Sequence, residues 1–278
     1  MLPLIINLAP TGMVPNKKNN PSVPLSPSEI ATDVARCFEL GVSIVHLHAR
    51  SPDGSTTDDA KIFADIIYKI RERTPEIVIV TTTSGRRVQD VARRAATLFL
   101  EGDAKPDMAS LTLGSMNFAT EASINPPATI MHLAELMLEK GIRPELEVFD
   151  LGMVNFAKIL ATKGLIKPPF YFNILLGNPA TAQATFLHLG TLINDLPAES
   201  IWSLAGIGRF QAKANALGVV MADGVRVGLE DNLWLDDGRT QLATNVQMVE
   251  RVVAQSAALG RPIAQIKDVR RMLGLQVI

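Results

Sequence analysis

The chain has 278 residues, which is long enough for one large core, and a single α/β barrel of about 250 residues is a common solution at this length. Its 27 lysine and arginine residues nearly balance its 28 aspartate and glutamate residues, so no whole-molecule field favours nucleic acid or an anionic membrane surface. One cysteine, Cys37, excludes an intramolecular disulfide, and no apolar run reaches the roughly 18 residues of a membrane span. We expect a single domain over residues 1–278, located in the reducing cytoplasm.

The first apolar segment, residues 4–9, predicts a buried strand that ends in a turn containing proline and glycine. A polar loop with several prolines follows at residues 16–27, and a loop of that length beside a buried strand usually serves function. Ser26 and Glu29 then predict a capping box with proline at the first helical position. Gly41 ends this helix.

The next strand, residues 43–50, carries two of the four histidines in the chain. His46 and His48 are two positions apart, so both side chains leave the same face, with Cα atoms roughly 7 Å apart. Imidazoles placed in this way can converge on one divalent ion if a third ligand arrives from elsewhere. The alternative is a pair of core histidines bonded to backbone carbonyls. Their place at a strand end, just before Arg50, favours the metal site.

Strand-like and helix-like segments alternate through the rest of the chain. Eight strands are predicted, at residues 4–9, 43–50, 77–82, 108–113, 145–150, 171–176, 201–205 and 224–229. After the first helix, helices are predicted near residues 58–73, 128–140, 154–162, 180–194, 211–217, 243–259 and 264–273, with another between the third and fourth strands. This repetition favours an α/β fold in which a parallel sheet closes into a (β/α)8 TIM barrel, with an extra C-terminal helix.

In a TIM barrel the chemistry lies at the carboxyl ends of the strands. Polar residues at or just after the ends of the predicted strands are therefore candidates for contacts with a substrate, namely Asn7, Thr11, Arg50, Thr82, Ser84, Thr112, Ser115, Glu147, Asp150, Asn178 and Arg209. Polar side chains at such positions also serve as helix caps or simply face solvent, so this set is weaker evidence than the histidine pair.

The last strand carries a stronger cluster. Arg226 and Glu230 share one strand face, and Asp231 joins them only if the strand has already ended. Because strand eight lies beside strand one and near strand two in a closed barrel, a carboxylate there is the natural third ligand for the two histidines. Two histidines and one carboxylate leave a coordination position open for substrate, as in catalytic zinc sites. In the alternative interpretation, Glu230 and Asp231 cap the following helix.

Such a site suits enolate chemistry. A divalent ion chelated by a carboxylate and its β-keto oxygen acts as a Lewis acid that stabilises an enolate. Arg226 can hold the substrate carboxylate or the developing oxyanion. Asp231, paired with it, is the candidate base, because the pKa of arginine alone is above about 12.

Six segments, in order along the chain, together resemble the β-keto acid cleavage enzyme family, which includes the 3-keto-5-aminohexanoate cleavage enzymes. They are Ala-Pro-Thr-Gly at residues 9–12, His-Leu-His-Ala-Arg at 46–50, Gly-Ser-Met-Asn-Phe at 114–118, Pro-Glu-Leu-Glu-Val-Phe-Asp at 144–150, Gly-Ile-Gly-Arg at 206–209 and Arg-Val-Gly-Leu-Glu-Asp-Asn at 226–232. The resemblance covers nearly the whole chain.

Membership would imply a zinc-dependent TIM barrel that condenses a β-keto acid with acetyl-CoA to give acetoacetate and an acyl-CoA. The family's zinc ligands fall on His46, His48 and Glu230, its deprotonating pair on Arg226 and Asp231, its hydroxyl contact on Thr82 and its strand-five carboxylate on Glu147. In that scheme the substrate enolate attacks the thioester, and the released CoA thiolate then cleaves the new carbon–carbon bond. The protein needs no covalent nucleophile.

The loop after strand one departs from the 3-keto-5-aminohexanoate cleavage enzymes. Those enzymes carry an acidic residue there that meets the ammonium group of the substrate, whereas the corresponding position here is Val14. An apolar side chain cannot pair with a buried cation, and an unpaired buried charge is costly. We therefore expect a substrate whose tail is neutral or apolar.

Coenzyme A also carries phosphates, and Arg209 with its neighbouring glycines could bind them, although a tight strand-to-helix turn explains the same residues. A metal-dependent TIM-barrel hydrolase and a class II-type aldolase are alternative enzymes, since both use histidine-rich metal centres in barrels. A metal- or acyl-CoA-binding scaffold without turnover is the non-enzymatic alternative. Scattered apolar residues on the outer helices predict a homo-oligomer, either a dimer or a tetramer.

Overall fold

The computed structural model describes residues 2–277. Eight parallel strands close into a barrel in which each strand pairs with its neighbours in chain order and the last pairs with the first. The strands are β1 (Ile5–Leu8), β2 (Ile44–Leu47), β3 (Val78–Thr81), β4 (Met108–Thr112), β5 (Arg143–Val148), β6 (Phe170–Leu176), β7 (Ser200–Gly206) and β8 (Gly224–Val227). The predicted TIM barrel is confirmed.

The helices are α1 (Pro27–Glu39), α2 (Ala60–Arg71), α3 (Val91–Arg94), α4 (Pro127–Lys140), α5 (Leu151–Thr162), α6 (Phe186–Asp195), α7 (Gln211–Met221), α8 (Asn245–Ala258) and α9 (Ile266–Met272). Helices α1–α7 connect the strands around the outside of the barrel, and α8 and α9 follow the last strand. None of these helices, within residues 2–277, combines the length and the apolar composition that crossing a membrane requires.

The first helix begins as its sequence predicts. The Ser26 hydroxyl accepts a hydrogen bond from the Glu29 amide, and the Glu29 carboxylate accepts one from the Ser26 amide, so the capping box is complete. Cys37 lies on the buried face of α1, where burial raises the pKa of its thiol. A buried thiol that stays protonated packs as a small apolar group.

The sixth helix begins later than predicted. It starts at Phe186 rather than near residue 180, because side chains in the preceding loop satisfy backbone groups that a helix would otherwise use. The side-chain amide of Gln183 donates to the backbone carbonyl of Asn178 at 2.8 Å. Thr185 then caps the helix by accepting from the His188 amide at 3.2 Å.

Three other segments differ from the prediction. The histidine strand ends at Leu47, and Ala49–Arg50 pair instead with Thr56–Thr57 in a short antiparallel hairpin. The helix predicted after the third strand is a single turn, α3, followed by 3-10 turns. Asp150 is not in a strand, because its carboxylate accepts from the Gly152 amide at 3.1 Å and caps α5.

The C-terminal helix α9 closes the amino end of the barrel. Val269 and Leu273 pack against the first residues of the strands, among them Ile5. Arg270 is buried and donates to the Asp107 carboxylate at 2.9 Å, which ties the helix to the start of β4. The carboxyl end of the barrel remains open for a ligand.

Candidate active site

A cavity of about 250 Å³ opens at the carboxyl ends of the strands. Most of the residues that the sequence predicts for a site line it, namely Val14, His46, His48, Thr82, Ser84, Thr112, Glu147, Asn178, Arg226, Glu230 and Asp231. They come from loops and strands that are far apart in the chain, so the barrel brings the predicted side chains together at one end.

His46, His48 and Glu230 form the group best suited to hold a metal ion. The Nε2 atoms of the two histidines are 3.3 Å apart, and His48 Nε2 lies 3.2 Å from Glu230 Oε1. His46 Nε2 is 4.0 Å from the same oxygen. Tetrahedral ligands held at 2.0–2.1 Å from a zinc ion lie about 3.3 Å from one another. The three side chains therefore fit a shared divalent cation.

Strand order and glycines place Glu230 opposite the histidines. β8 and β2 are both neighbours of β1, and β8 ends at Val227, so the chain can turn before Glu230. The turn is close to β1, since the Glu230 amide donates to the Ala9 carbonyl at 3.1 Å. Gly12 has φ of +67°, and a Cβ there would lie 2.6 Å from Glu230 Cγ. Only a glycine leaves this carboxylate its space.

The electrostatics of Glu230 and His48 suit a cation. Burial raises the pKa of Glu230, but His48, Arg226 and His46 lower it, and the net pKa is well below its ordinary value. Burial lowers the pKa of His48, which favours the neutral ring that binds metals. Glu230 Oε2 is buried without a hydrogen-bond partner among the described residues. A carboxylate that stays ionised and has a free oxygen fits a metal ligand.

Arg226 lies at the centre of the remaining carboxylates. It is 1% exposed and donates to Glu230 at 2.7 Å, to Asp231 at 3.0 and 3.3 Å, and to Glu147 at 3.3 Å. Burial lowers the pKa of Arg226, but Asp231, Glu230 and Glu147 raise it well above its ordinary value. Burial also raises the pKa of Asp231 and of Glu147. A fixed cation thus lies beside carboxylates that bind protons more readily than usual.

Hydroxyl groups complete the cavity wall. Thr112 Oγ1 donates to Glu147 Oε2 at 2.6 Å and so orients that carboxylate. Thr82 Oγ1 accepts from the Ser84 amide at 3.2 Å, so its own proton can be donated to a ligand. Val14 lies at the mouth of the cavity and is 46% exposed.

Ser115 and Arg209 are among the predicted residues that lie outside this cavity. Ser115 Oγ accepts from the Asn125 amide at 2.8 Å, a contact that shapes the loop after β4. Arg209 lines a separate groove together with Arg239, and the two openings share Pro179. Arg209 can therefore contact only a ligand that extends beyond the cavity.

Sequence reasoning missed two residues. Glu145 is fully buried on β5, and its Oε2 lies 2.6 Å from His46 Nδ1. Burial lowers the pKa of His46, but Glu145 raises it, with a net rise. Arg86 lines the cavity, pairs with Glu121 at 2.9 Å and lies 4.0 Å over the Phe118 ring. The only signal for Arg86 was its position in a loop after a strand; nothing marked Glu145.

A sequence profile of the beta-keto acid cleavage enzyme family, BKACE, matches residues 3–275. The chain belongs to this family. Among its relatives, 3-keto-5-aminohexanoate cleavage enzyme of Fusobacterium nucleatum subsp. nucleatum is 37% identical over 275 residues, which cover 98% of each chain. The 3-oxoadipate:acetyl-CoA acetyltransferase of Cupriavidus necator is 35% identical over 277 residues, 98% of this chain and 95% of that protein. The resemblance read from six segments is confirmed.

Solved structures agree with this fold. The ternary complex of ObcA with C4-CoA adduct and oxalate superposes with a TM-score of 0.78 at 23% identity, over 92% of this chain and 68% of that chain. A truncated 3-deoxy-D-arabino-heptulosonate 7-phosphate synthase from Thermotoga maritima gives a TM-score of 0.54 at 15% identity, over 94% and 89%. At these identities the similarity shows the barrel alone.

The space that Gly12 leaves for Glu230 can be tested in this β-keto acid cleavage enzyme. Gly12→Ala places a methyl group against the Glu230 side chain, so we expect Zn²⁺ affinity to fall at least about tenfold, as when ligand orientation is disturbed. Competition with a chelating dye measures this affinity. Gly260→Ala is the matched control, because Gly260 has φ of +65° with nothing within 4 Å.

The left-handed backbone alone should lower the free energy of unfolding of each metal-free variant by about 1–2 kcal/mol, and Gly12→Ala adds the contact with Glu230. Only Gly12→Ala should lose metal affinity. Equal Zn²⁺ affinity in the two variants would contradict the placement of Glu230 as a ligand.

Proposed function

We propose that this chain is a zinc-dependent acyltransferase, which converts a β-keto acid and acetyl-CoA into acetoacetate and the CoA thioester of the remaining acyl group. The observation that carries the proposal is the meeting of two imidazoles and a carboxylate with the buried Arg226–Asp231 pair in one cavity. The names of the relatives from F. nucleatum and C. necator support it. They favour acyl transfer over the hydrolase and aldolase alternatives.

His46, His48 and Glu230 are the residues that would hold the ion. Two imidazoles in a set of three favour zinc over magnesium or calcium, which prefer oxygen ligands. When bound, the ion supplies a Lewis acid that stabilises the enolate form of a chelated β-keto acid. Thr82 is placed to donate a hydrogen bond to that substrate.

Asp231 is the proposed base for the carbon between the keto and carboxyl groups. Its two contacts with Arg226, at 3.0 and 3.3 Å, hold the carboxylate in one orientation. Burial raises its pKa, which brings it closer to the range in which a carboxylate can accept and return a proton. Arg226 stays charged and balances the negative charge that develops on the substrate.

The bond changes then balance without a covalent link to the protein. The deprotonated carbon bonds to the acetyl carbon, and the thioester C–S bond breaks to release CoA thiolate. The thiolate attacks the original keto carbon. The bond between that carbon and the deprotonated carbon then breaks, which leaves the enolate of acetoacetate and the new thioester. Asp231 returns its proton to the acetoacetate carbon. We assign Glu147, which Thr112 orients, to exchange a proton with the CoA sulfur.

Coenzyme A requires room beyond the cavity. The groove that contains Arg209 and Arg239 adjoins the cavity at Pro179, so one ligand can occupy both. Two guanidinium groups on one groove suit phosphate groups. We assign the phosphates of CoA to this groove and its thioester to the cavity.

The tail of the β-keto acid would meet a neutral wall. Val14 and Phe149 supply apolar surface, and Arg86 is already paired with Glu121 at 2.9 Å. Within the described residues, the carboxylates that line the cavity are Glu147, Glu230 and Asp231, and all three are already assigned to the metal or to catalysis. Ser84 lines the same cavity and is proposed, besides Thr82, as a second hydroxyl contact for the substrate.

A homo-oligomer, a dimer or a tetramer, remains our proposal for the quaternary state. Phe186 and Leu187, at the start of α6, are 77% and 74% exposed, and large apolar side chains so exposed favour burial against a partner.

We also propose a cytoplasmic location, because acetyl-CoA is the co-substrate we assign and Cys37 is a free thiol.

Substrate preference tests both the reaction and the tail. We expect kcat/KM to be at least about tenfold higher for an unsubstituted 3-oxoalkanoate than for 3-keto-5-aminohexanoate, because the ammonium group would lose water beside Val14 without gaining a carboxylate partner, at a cost of about 1–3 kcal/mol. Val14→Glu should narrow or reverse this preference, whereas Val14→Leu should keep it. Acetoacetate formation is measured with and without acetyl-CoA.

A clear preference of the unchanged protein for the amine would contradict the neutral tail. Turnover that continues without acetyl-CoA would contradict the proposed reaction itself.

The base is tested by Asp231→Asn, which keeps the size of the side chain but removes its ability to take a proton. We expect kcat to fall by about 10²–10⁴-fold while the protein stays folded. Asp65→Asn, at an exposed carboxylate on α2, should change kcat less than twofold. A near-normal rate of acetoacetate formation by Asp231→Asn would remove Asp231 from this role.

A further inference from the structure

Glu145 lies directly behind a proposed metal ligand. It is 0% exposed on β5, and its Oε2 lies 2.6 Å from Nδ1 of His46. Burying a carboxylate is costly unless it is paired and hydrogen-bonded. Hydrogen bonds to both carboxylate oxygens offset this cost. Oε2 is bonded to His46, and Oε1 accepts from Asn7 Nδ2 at 2.7 Å.

Glu145 also belongs to a second group of possible metal ligands, with His46 and Glu147. The 2.6 Å between Glu145 Oε2 and His46 Nδ1 is a hydrogen-bond distance. Two atoms that bind one zinc ion lie about 3.3 Å apart. Because Nδ1 is engaged in this bond, only Nε2 of His46 is left to face His48 and Glu230. Glu145 is therefore a partner of a ligand rather than a ligand.

A chain of hydrogen bonds inside the barrel holds Glu145 in place. Besides its bond to Glu145, Asn7 Nδ2 donates to Tyr171 Oη at 3.2 Å, and Tyr171 Oη lies 2.9 Å from Ser203 Oγ. These side chains come from β1, β5, β6 and β7, and all four are buried. A carboxylate fixed by these hydrogen bonds can hold the His46 ring in one tautomer and one orientation.

We propose that Glu145 is a positioning residue for the metal site: it accepts a hydrogen bond from the Nδ1–H group of His46 and so presents Nε2 of that ring to the ion. The proposal rests on the metal-dependent function assigned above. It adds a residue that binds neither metal nor substrate but controls the affinity of the site. Outer partners of metal-bound histidines commonly have this effect.

The test uses Glu145→Gln in the full-length protein. The new amide keeps the size of the side chain and an oxygen that can accept from His46, but it lacks the negative charge. We expect Zn²⁺ affinity, measured by competition with a chelating dye, to fall by about 10–100-fold. With Co²⁺ as a probe, the visible absorption bands should shift, because the ring nitrogen becomes a weaker ligand.

Two further variants separate positioning from damage to the core. Asn7→Asp combined with Glu145→Gln restores a donor–acceptor pair between these positions but still places a neutral group beside His46, so affinity should stay low. Ser203→Ala removes a hydroxyl from the far end of the chain, and its Zn²⁺ affinity should stay within about twofold of the unchanged protein, well below the outer-partner effect. Thermal unfolding of the metal-free forms checks that each variant folds.

The outcomes distinguish this inference from the proposed function. If the unchanged protein binds zinc and Glu145→Gln binds it equally well with the same Co²⁺ spectrum, the positioning role is wrong. Recovery of wild-type affinity in the double variant would likewise reduce Glu145 to a packing role. If the unchanged protein binds no divalent metal, the metal-dependent function fails, and this inference fails with it.

Discussion

The site depends on one constraint: Glu147, Glu230 and Asp231 all pair with a single guanidinium, that of the buried Arg226, while a fourth carboxylate, Glu145, is buried against His46. Buried charges of one sign are unfavourable unless compensated. Arg226 compensates part of this charge through its ion pairs with Glu147, Glu230 and Asp231. The remaining negative charge lies beside two imidazole nitrogens, which makes a divalent cation the natural partner of the cluster.

The barrel supplies the geometry that this cluster needs. β8, β1 and β2 lie side by side, so the end of the last strand meets the histidines of the second. Gly12 keeps the space for Glu230 open, and α9 packs against the opposite end of the barrel. Inside the barrel, Asn7 donates a hydrogen bond to Glu145, which in turn is hydrogen-bonded to His46. The interior is thus a support for the site as well as a core.

The sequence predicted the parts of the site that follow from local spacing. The pairing of His46 with His48 needs only the two-residue period of a strand, and the eight strand–helix repeats follow from the alternation of strand and helix periods along the chain. The role of Glu145 could not be predicted, because its partner His46 lies 99 residues away in the chain. The sequence of a buried strand does not indicate which side chain of another strand will face it. The late start of α6 depends on Gln183 bonds within a loop, and loop bonds of this kind leave no periodic signal. Ser115 was chosen by position alone.

The central claim is that His46, His48 and Glu230 share one metal ion. Zinc X-ray absorption spectroscopy on the protein loaded with one equivalent of Zn²⁺ tests it most directly. We predict imidazole nitrogen and carboxylate oxygen scatterers at about 2.0–2.1 Å, and no sulfur. A sulfur contribution near about 2.3 Å, or a spectrum of fully hydrated zinc without imidazole scattering, would contradict the account.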